Sequence, residues 1–320
     1  MKKILLMAVA ALMATSVFAH ETIKKVRVYK DNAVVYESNY SDVDSIVFVD
    51  EIIPDVPDLP TGALTGEFSV SATKKVHFSR GNLQASTTDL GVNWTWDFAE
   101  HQWDYIGEAA ANNAINGNKT VSSNGAIDLF CWSITDTYYG INNSMSSSTY
   151  SGDFRDWGET IGEGWHTLSG DEWVYLFFTR TNAESLFGLG SVNGVNGTII
   201  LPDNWVTPEG ALFTPSTTQG LAGLGDFYYN SNGDNFSHNT YTAEQWGIME
   251  SAGAVFLPAA GNRYGANVYN GGSRGYYWSA SYHGHGQGSN VIDVYFNSNY
   301  MSMDYCGRDN GLSVRLVQDL

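Results

Sequence analysis

The stretch from Gly261 to Val317 constrains this chain most, because two kinds of position interleave along it. In Val291-Ile292-Asp293-Val294-Tyr295-Phe296 the alternation has a period of two, which puts Ile292, Val294 and Phe296 on one face of a strand. Val291, Asp293 and Tyr295 then share the opposite face. Met301 and Met303 repeat the pattern against Tyr300, Ser302 and Asp304. The apolar set, with Trp278, Val314 and Leu316, reads as a buried scaffold. The other set is drawn from Tyr, His, Ser, Asp, Asn, Gly and Cys and reads as an exposed face. That composition suits recognition: Tyr gives large amphipathic contact area at low entropy cost, and Ser, Gly and Asn give adaptable hydrogen bonding. The candidate ligand-binding residues are therefore Tyr264, Tyr269, Tyr276, Tyr282, His283, His285, Ser289, Val291, Asp293, Tyr295, Tyr300, Ser302, Asp304, Tyr305 and Asp309.

Met1 to Ala19 has the form of a secretory signal: Lys2 and Lys3, an apolar run from Ile4 to Met13, then Val17-Phe18-Ala19 as a small-residue cleavage site. The apolar run is too short to span a bilayer, and no transmembrane segment is expected in the mature chain. No cysteine follows the run, so no lipid anchor is expected. Export places the protein in the periplasm, at the cell surface or outside the cell. A formal net charge of -18 repels phosphate backbones and argues against a nucleic-acid partner. Cys131 and Cys306 do not make a disulfide framework. They could pair, but two separately placed thiols is the preferred reading.

The expected organisation has a small unit at 20–50, a linker at 51–61 and a main domain at 62–320. Ile23 to Tyr29, a turn at Lys30-Asp31-Asn32-Ala33, Val34-Val35-Tyr36 and Ser45 to Val49 read as a hairpin plus a third strand. Pro54, Pro57 and Pro60 recur at every third position, as in a stiff extended linker. The main domain is large enough for one core to bury roughly 70–75% of its unfolded surface. Phe68 to Ala72 and Val76 to Ser79 read as paired strands, the aromatic-dense Trp94 to Trp103 as core and strand, and Gly140 to Gly152 as a loop.

Two helices are predicted from their ends. Ser169 and Glu172 form an S-x-x-E capping box, with Leu168 and Trp173 as its hydrophobic staple. Trp173, Leu176 and Phe177 supply the buried face. Thr242 and Gln245 repeat the device, with Tyr241 and Trp246 as the staple, Met249 on the buried face and Gly253 as the stop. Val195 to Leu201 reads as a turn and strand, and Ala254 to Pro258 as a short apolar strand. Strands, helix, long loops, helix, strands is an α+β order rather than alternating βαβ.

The segments WHTLSGDEWVYLF (165–177), AGAVFLPAAGNRYG (252–265), GYYWSASY (275–282) and GLSVRLV (311–317) resemble secreted proteins of gut Bacteroidetes that carry a C-type lectin-like domain. These are related to the Fibrobacter succinogenes major paralogous domain and, more distantly, to the formylglycine-generating-enzyme fold. The pairing of YWS with a closing G-x-SVR-x-V resembles the variable protein of a diversity-generating retroelement. The resemblance covers about residues 63 to 317. It implies a C-type lectin-like fold and a receptor- or adhesin-like binding role. It also implies a variable region, 261–317, rewritten at adenines by an error-prone reverse transcriptase.

Those codons offer a check. Changing both adenines of an AAY codon reaches Tyr, His, Asp, Ser, Gly, Cys, Val and Arg, but not Lys, Glu, Gln, Met or Trp. All the candidate residues, and Cys306, fall in the reachable set, and no Glu follows Glu250. Gln287 lies outside the set and must be a fixed position. A Gly/Asn/Tyr-rich surface of an ordinary low-lysine secreted protein would look similar.

Catalytic readings are weaker. His283 and His285 form a lone H-x-H in a Gly-rich loop with no third ligand at a recognisable spacing, so no metal is expected. No motif singles out a carboxylate pair for glycoside hydrolysis. The cysteines do not match the pair on which formylglycine-generating enzymes rely, and the calcium-lectin motifs Glu-Pro-Asn, Gln-Pro-Asp and Trp-Asn-Asp are absent. The reading is a binding protein rather than an enzyme. It takes no cofactor, and its partner is a protein or glycoprotein on another cell or phage. A carbohydrate-binding module or glycan-active enzyme of similar fold is the alternative.

Overall fold

The computed structural model describes residues 25–30, 33–39, 41, 59–89, 91–107, 113, 125–135, 139–141, 152–162, 164–216, 228–230, 235–265, 267–283 and 290–320. The signal-like segment, the strand expected at 45–49, most of the linker, most of the 140–152 loop, His285 and Ser289 lie outside the described residues. The chain divides into two compact units, Met1–Pro57 and Asp58–Leu320. The described part of the first is an antiparallel hairpin of Lys25–Lys30 with Ala33–Asn39. Lys25 and Arg27 both pair with Glu37 across it.

The second unit is mixed α+β, dominated by strands in several small sheets, with two short α-helices among the described residues. Helix α1, Gly170–Val174, starts where its cap predicts. Ser169 accepts from the Glu172 N–H, and the Glu172 carboxylate accepts from the Ser169 N–H. Leu168 and Trp173 are both buried. The helix continues as one π-helical turn, Tyr175–Thr179, which sinks Leu176 and Phe177 into the core. Helix α2, Ala243–Ser251, has the same reciprocal cap from Thr242 and Gln245. The rings of Tyr241 and Trp246 lie 5.9 Å apart, closing its staple. Gly253 follows with φ +96°, and a Cβ there would stand 2.8 Å from Gly66 Cα, so only glycine fits the stop. No helix among the described residues is long and apolar enough to cross a membrane.

One sheet joins the two ends of this unit. Phe68–Ser69, Lys75–Phe78, Leu316–Asp319 and Trp165–Thr167 lie in that order, so its last strand sits beside early ones. A second sheet orders Thr240–Tyr241, Phe187–Val192, Val195–Ile200 and Val255–Pro258. The C-terminal sheet is antiparallel, in the order Tyr228–Asn230, Tyr300–Gly307, Asn290–Asn297, Arg274–Tyr282.

Two hydrophobic clusters meet the C-terminal sheet on its opposite faces. One contains Phe68, Phe78, Trp173, Phe177 and Leu257 with Val294, Phe296, Met301 and Met303. The other contains Phe130, Trp132, Trp157, Leu312, Val314 and Leu316 with Trp278 and Val291. This corrects the expectation that Val291, Asp293 and Tyr295 are displayed: their exposures are 0%, 1% and 5%. Their strand is interior to the sheet, with packed neighbours on either side and a cluster against each face. Period-two alternation reports two faces but not what covers the second.

Candidate functional site

The pairing register fixes which candidate residues meet. Tyr276 stands opposite Tyr295, and Tyr295 opposite Ser302, so these side chains share one face of three adjacent strands. On that face the Tyr276 and Tyr295 ring centroids are 4.9 Å apart, and those of Tyr295 and Tyr300 are 5.4 Å apart. The result is a row of three tyrosines. Tyr295 is its buried middle rung, Tyr276 is half-buried, and Tyr300 is exposed. Asn297 donates to the Tyr295 hydroxyl at 2.8 Å, and Arg274 engages Tyr276. Neither of those two was singled out from the sequence. Their spacing of two from Tyr295 and Tyr276 was the signal that could have placed them on the same face.

Asp293 lies next to the row, directly opposite Asp304. Asp304 is exposed, whereas the Asp293 carboxyl is buried and its Oδ1 has no hydrogen-bond partner. Burial, reinforced by the Asp304 charge, pushes the Asp293 carboxyl well above the usual carboxylate range. The Cys306 thiol beside it is pushed up by burial and by the same two carboxylates. Cys131 and Cys306 both remain thiols. Burial also raises the phenols of Tyr276, Tyr282 and Tyr300. The face therefore presents neutral hydroxyls and aromatic edges around one exposed carboxylate. Beside it the Cys306 thiol and the Asp293 carboxyl are joined by a side-chain hydrogen bond.

Asp293 makes a pH prediction with a definite sign. A folded-state pKa above the unfolded value contributes stability that is complete below the unfolded pKa, about 3.9, and is lost as pH rises through the folded one. Asp293→Asn is thus expected to leave stability unchanged below about pH 4, to raise it at neutral pH, and to flatten the profile between. Urea melts of both forms across that range would check it, and a neutral-pH loss on substitution would contradict the assignment.

The remaining candidates fall elsewhere. Tyr305 pairs with Ile292, which places it on the other face of the sheet from the tyrosine row. There its ring stacks on His283 at 3.9 Å and 18°. Tyr264 and Tyr269 belong to a separate hairpin, Asn262–Tyr264 with Asn267–Tyr269. They lie on its outer side at 59% and 48% exposure, while Arg263 and Val268 face inward. Tyr282 donates to the Gly152 carbonyl and packs edge-on to Trp132 at 4.7 Å, so it is partly structural. Asp309 is half-buried, its backbone carbonyl accepting from the Cys131 thiol. Among the described residues no three His, Cys, Asp or Glu side chains come together as a metal site.

No curated protein and no solved structure matches this chain. A family model does match residues 227–317, a stretch containing α2, the Tyr264–Tyr269 hairpin and the whole tyrosine row; it is described as a domain of unknown function, DUF8237.

Proposed function

We propose that this protein is an exported receptor- or adhesin-like binding protein with a C-type lectin-like domain, whose C-terminal face is diversified by a retroelement. The observation that carries the reading is the tyrosine row. Aromatic side chains reach the surface at Tyr300 from a sheet held by packed clusters on both faces. Rigid tyrosines are favoured at interface hot spots because little rotamer freedom is lost on contact. The adjacency of early and last strands, with two capped helices between, supports the lectin-like assignment. The partner is a protein or glycoprotein bound without chemistry.

Two measurements test this. The DNA beside the gene is expected to hold a near-copy of codons 261–317 next to a reverse transcriptase, differing only at adenines. A binding screen followed by alanine scanning should place hot spots on Tyr276 and Tyr300, each worth more than about 2 kcal/mol. Hot spots confined to the Lys25–Asn39 hairpin would overturn the placement.

The exposed pair Tyr264 and Tyr269 favours a second reading, a carbohydrate-binding module, since sugar rings stack on solvent-facing aromatics. Binding of a free glycan that is lost on Tyr264→Ala and Tyr269→Ala, with Tyr276 and Tyr300 silent, would favour it. Turnover of that glycan would make the protein an enzyme.

A further inference from the structure

The chain has eight arginines against an excess of acidic side chains. Arg27, Arg80, Arg155 and Arg180 pair with Glu37, Asp97, Glu159 and Asp203. Arg263 donates to the carbonyls of Leu129 and Gly265, and Arg315 to the side-chain oxygens of Asn82 and Gln102. Arg274 is exposed and engages Tyr276. Arg315 also has a buried, unpartnered Nε, but its Nη1 and Nη2 both find acceptors; Arg308 lacks them at two of its nitrogens. It is 3% exposed, and its Nε and Nη1 are buried with no hydrogen-bond partner. Among the described residues its guanidinium makes no ion pair. It lies over the Tyr282 ring, 5.4 Å from Cζ to the centroid.

The surrounding acids do not take the role. Asp309, next in sequence, has its carboxyl pushed up by burial, with no cation pulling it down. Asp153 is exposed, and it acts on the Tyr282 phenol in the opposite sense to Arg308. A buried carboxyl such as Asp293 can shed its charge by taking a proton. A guanidinium cannot, because it stays protonated at any pH a protein tolerates. A buried cation is strongly unfavourable unless oxygen acceptors meet it, as they do at Arg263 and Arg315, or an anion does.

We propose that Arg308 anchors an oxyanion site at the end of the C-terminal sheet, taking a carboxylate or sulfate group of the bound ligand. A planar guanidinium matches both groups through paired N–H donors. Tyr282 forms one wall, and its aromatic face already tolerates the cation. The inference rests on the reading of this end of the chain as a binding face, and it names a chemistry that face would select. In a chain of net charge -18 such a site discriminates strongly, since the rest of the surface repels anions.

The test uses the whole protein with sodium acetate or sodium sulfate as probes and sodium chloride at matched ionic strength as control. Arg308→Met serves as the reference, because sulfate stabilises folded proteins non-specifically. Wild type is expected to melt higher than in chloride by a saturable increment of about 5–10 °C at a hundredfold excess over Kd, and R308M to lack that increment. A response to acetate alone identifies a carboxylate ligand, and one to sulfate alone a sulfated ligand. If R308M does not fold, R308K carries the comparison: it keeps the charge without the planar fork and is expected to lose most of the increment. Equal shifts in wild type and R308M, no shift in either salt, or a full shift in R308K would overturn the proposal. Melting shifts need no partner, so this result and the tyrosine scan can fail independently.

Discussion

Trp278→Ala is expected to lower the unfolding free energy by about 3–5 kcal/mol, the largest loss of any single truncation in the C-terminal strands. The indole is 1% exposed and sits in the cluster that closes the second face of the sheet. Its Nε1 donates to the Phe130 carbonyl at 2.6 Å, so the substitution removes a hydrogen bond as well as leaving a cavity. Tyr264→Ser, at a 59% exposed site, should change stability by no more than about 0.5 kcal/mol. Urea melts of the two variants test the division into scaffold and display directly. Similar losses for both would sink it. Tyr295→Ser belongs with Trp278 in this comparison, because that ring is the buried rung of the row.

Asp203→Ala should come close behind, at about 3 kcal/mol. Asp203 accepts from the backbone N–H and hydroxyl of Ser69 and from Arg180 Nη1 at 3.1 Å. The Arg180 side chain is 1% exposed, so losing Asp203 strips the carboxylate from a buried guanidinium. The same carboxylate gives the fold an acid-sensitive point. Burial alone would raise its pKa, but the Ser69 hydrogen bonds and Arg180 outweigh burial and hold it below the usual range. Its stabilisation is therefore present above the unfolded pKa, about 3.9, and is lost as pH falls through the lower folded value. Melts on descending pH should show wild type and D203A converging below about pH 4. A constant gap into strong acid would contradict the pairing.

Much of the local structure was legible in the residues. Both capping boxes, both staples and the alternating strands are short-range devices. Each is specified by residues within five positions of one another, so a reader of the chain sees the whole interaction. The α1 cap between Ser169 and Glu172 and the α2 cap between Thr242 and Gln245 formed as read. The scaffold side of the C-terminal strands, Val294, Phe296, Met301 and Met303, is buried as the period required.

What the chain alone could not settle was whatever depended on a second layer. Asp293 and Tyr295 look like surface residues along their own strand. Tyr295 is covered by the rings of Tyr276 and Tyr300 on the neighbouring strands, and Val291, on the same face, by distant segments carrying Phe130, Trp132 and Leu312. Tyr305 shares the candidate set with Tyr300, and the register places it on the opposite face, where it stacks on His283. Arg308 is one arginine among eight until the other seven are seen with their partners. Helix caps and strand faces are local consequences of backbone geometry. Burial, register and the compensation of a charge depend on contacts between distant segments, which exist only once the chain has folded.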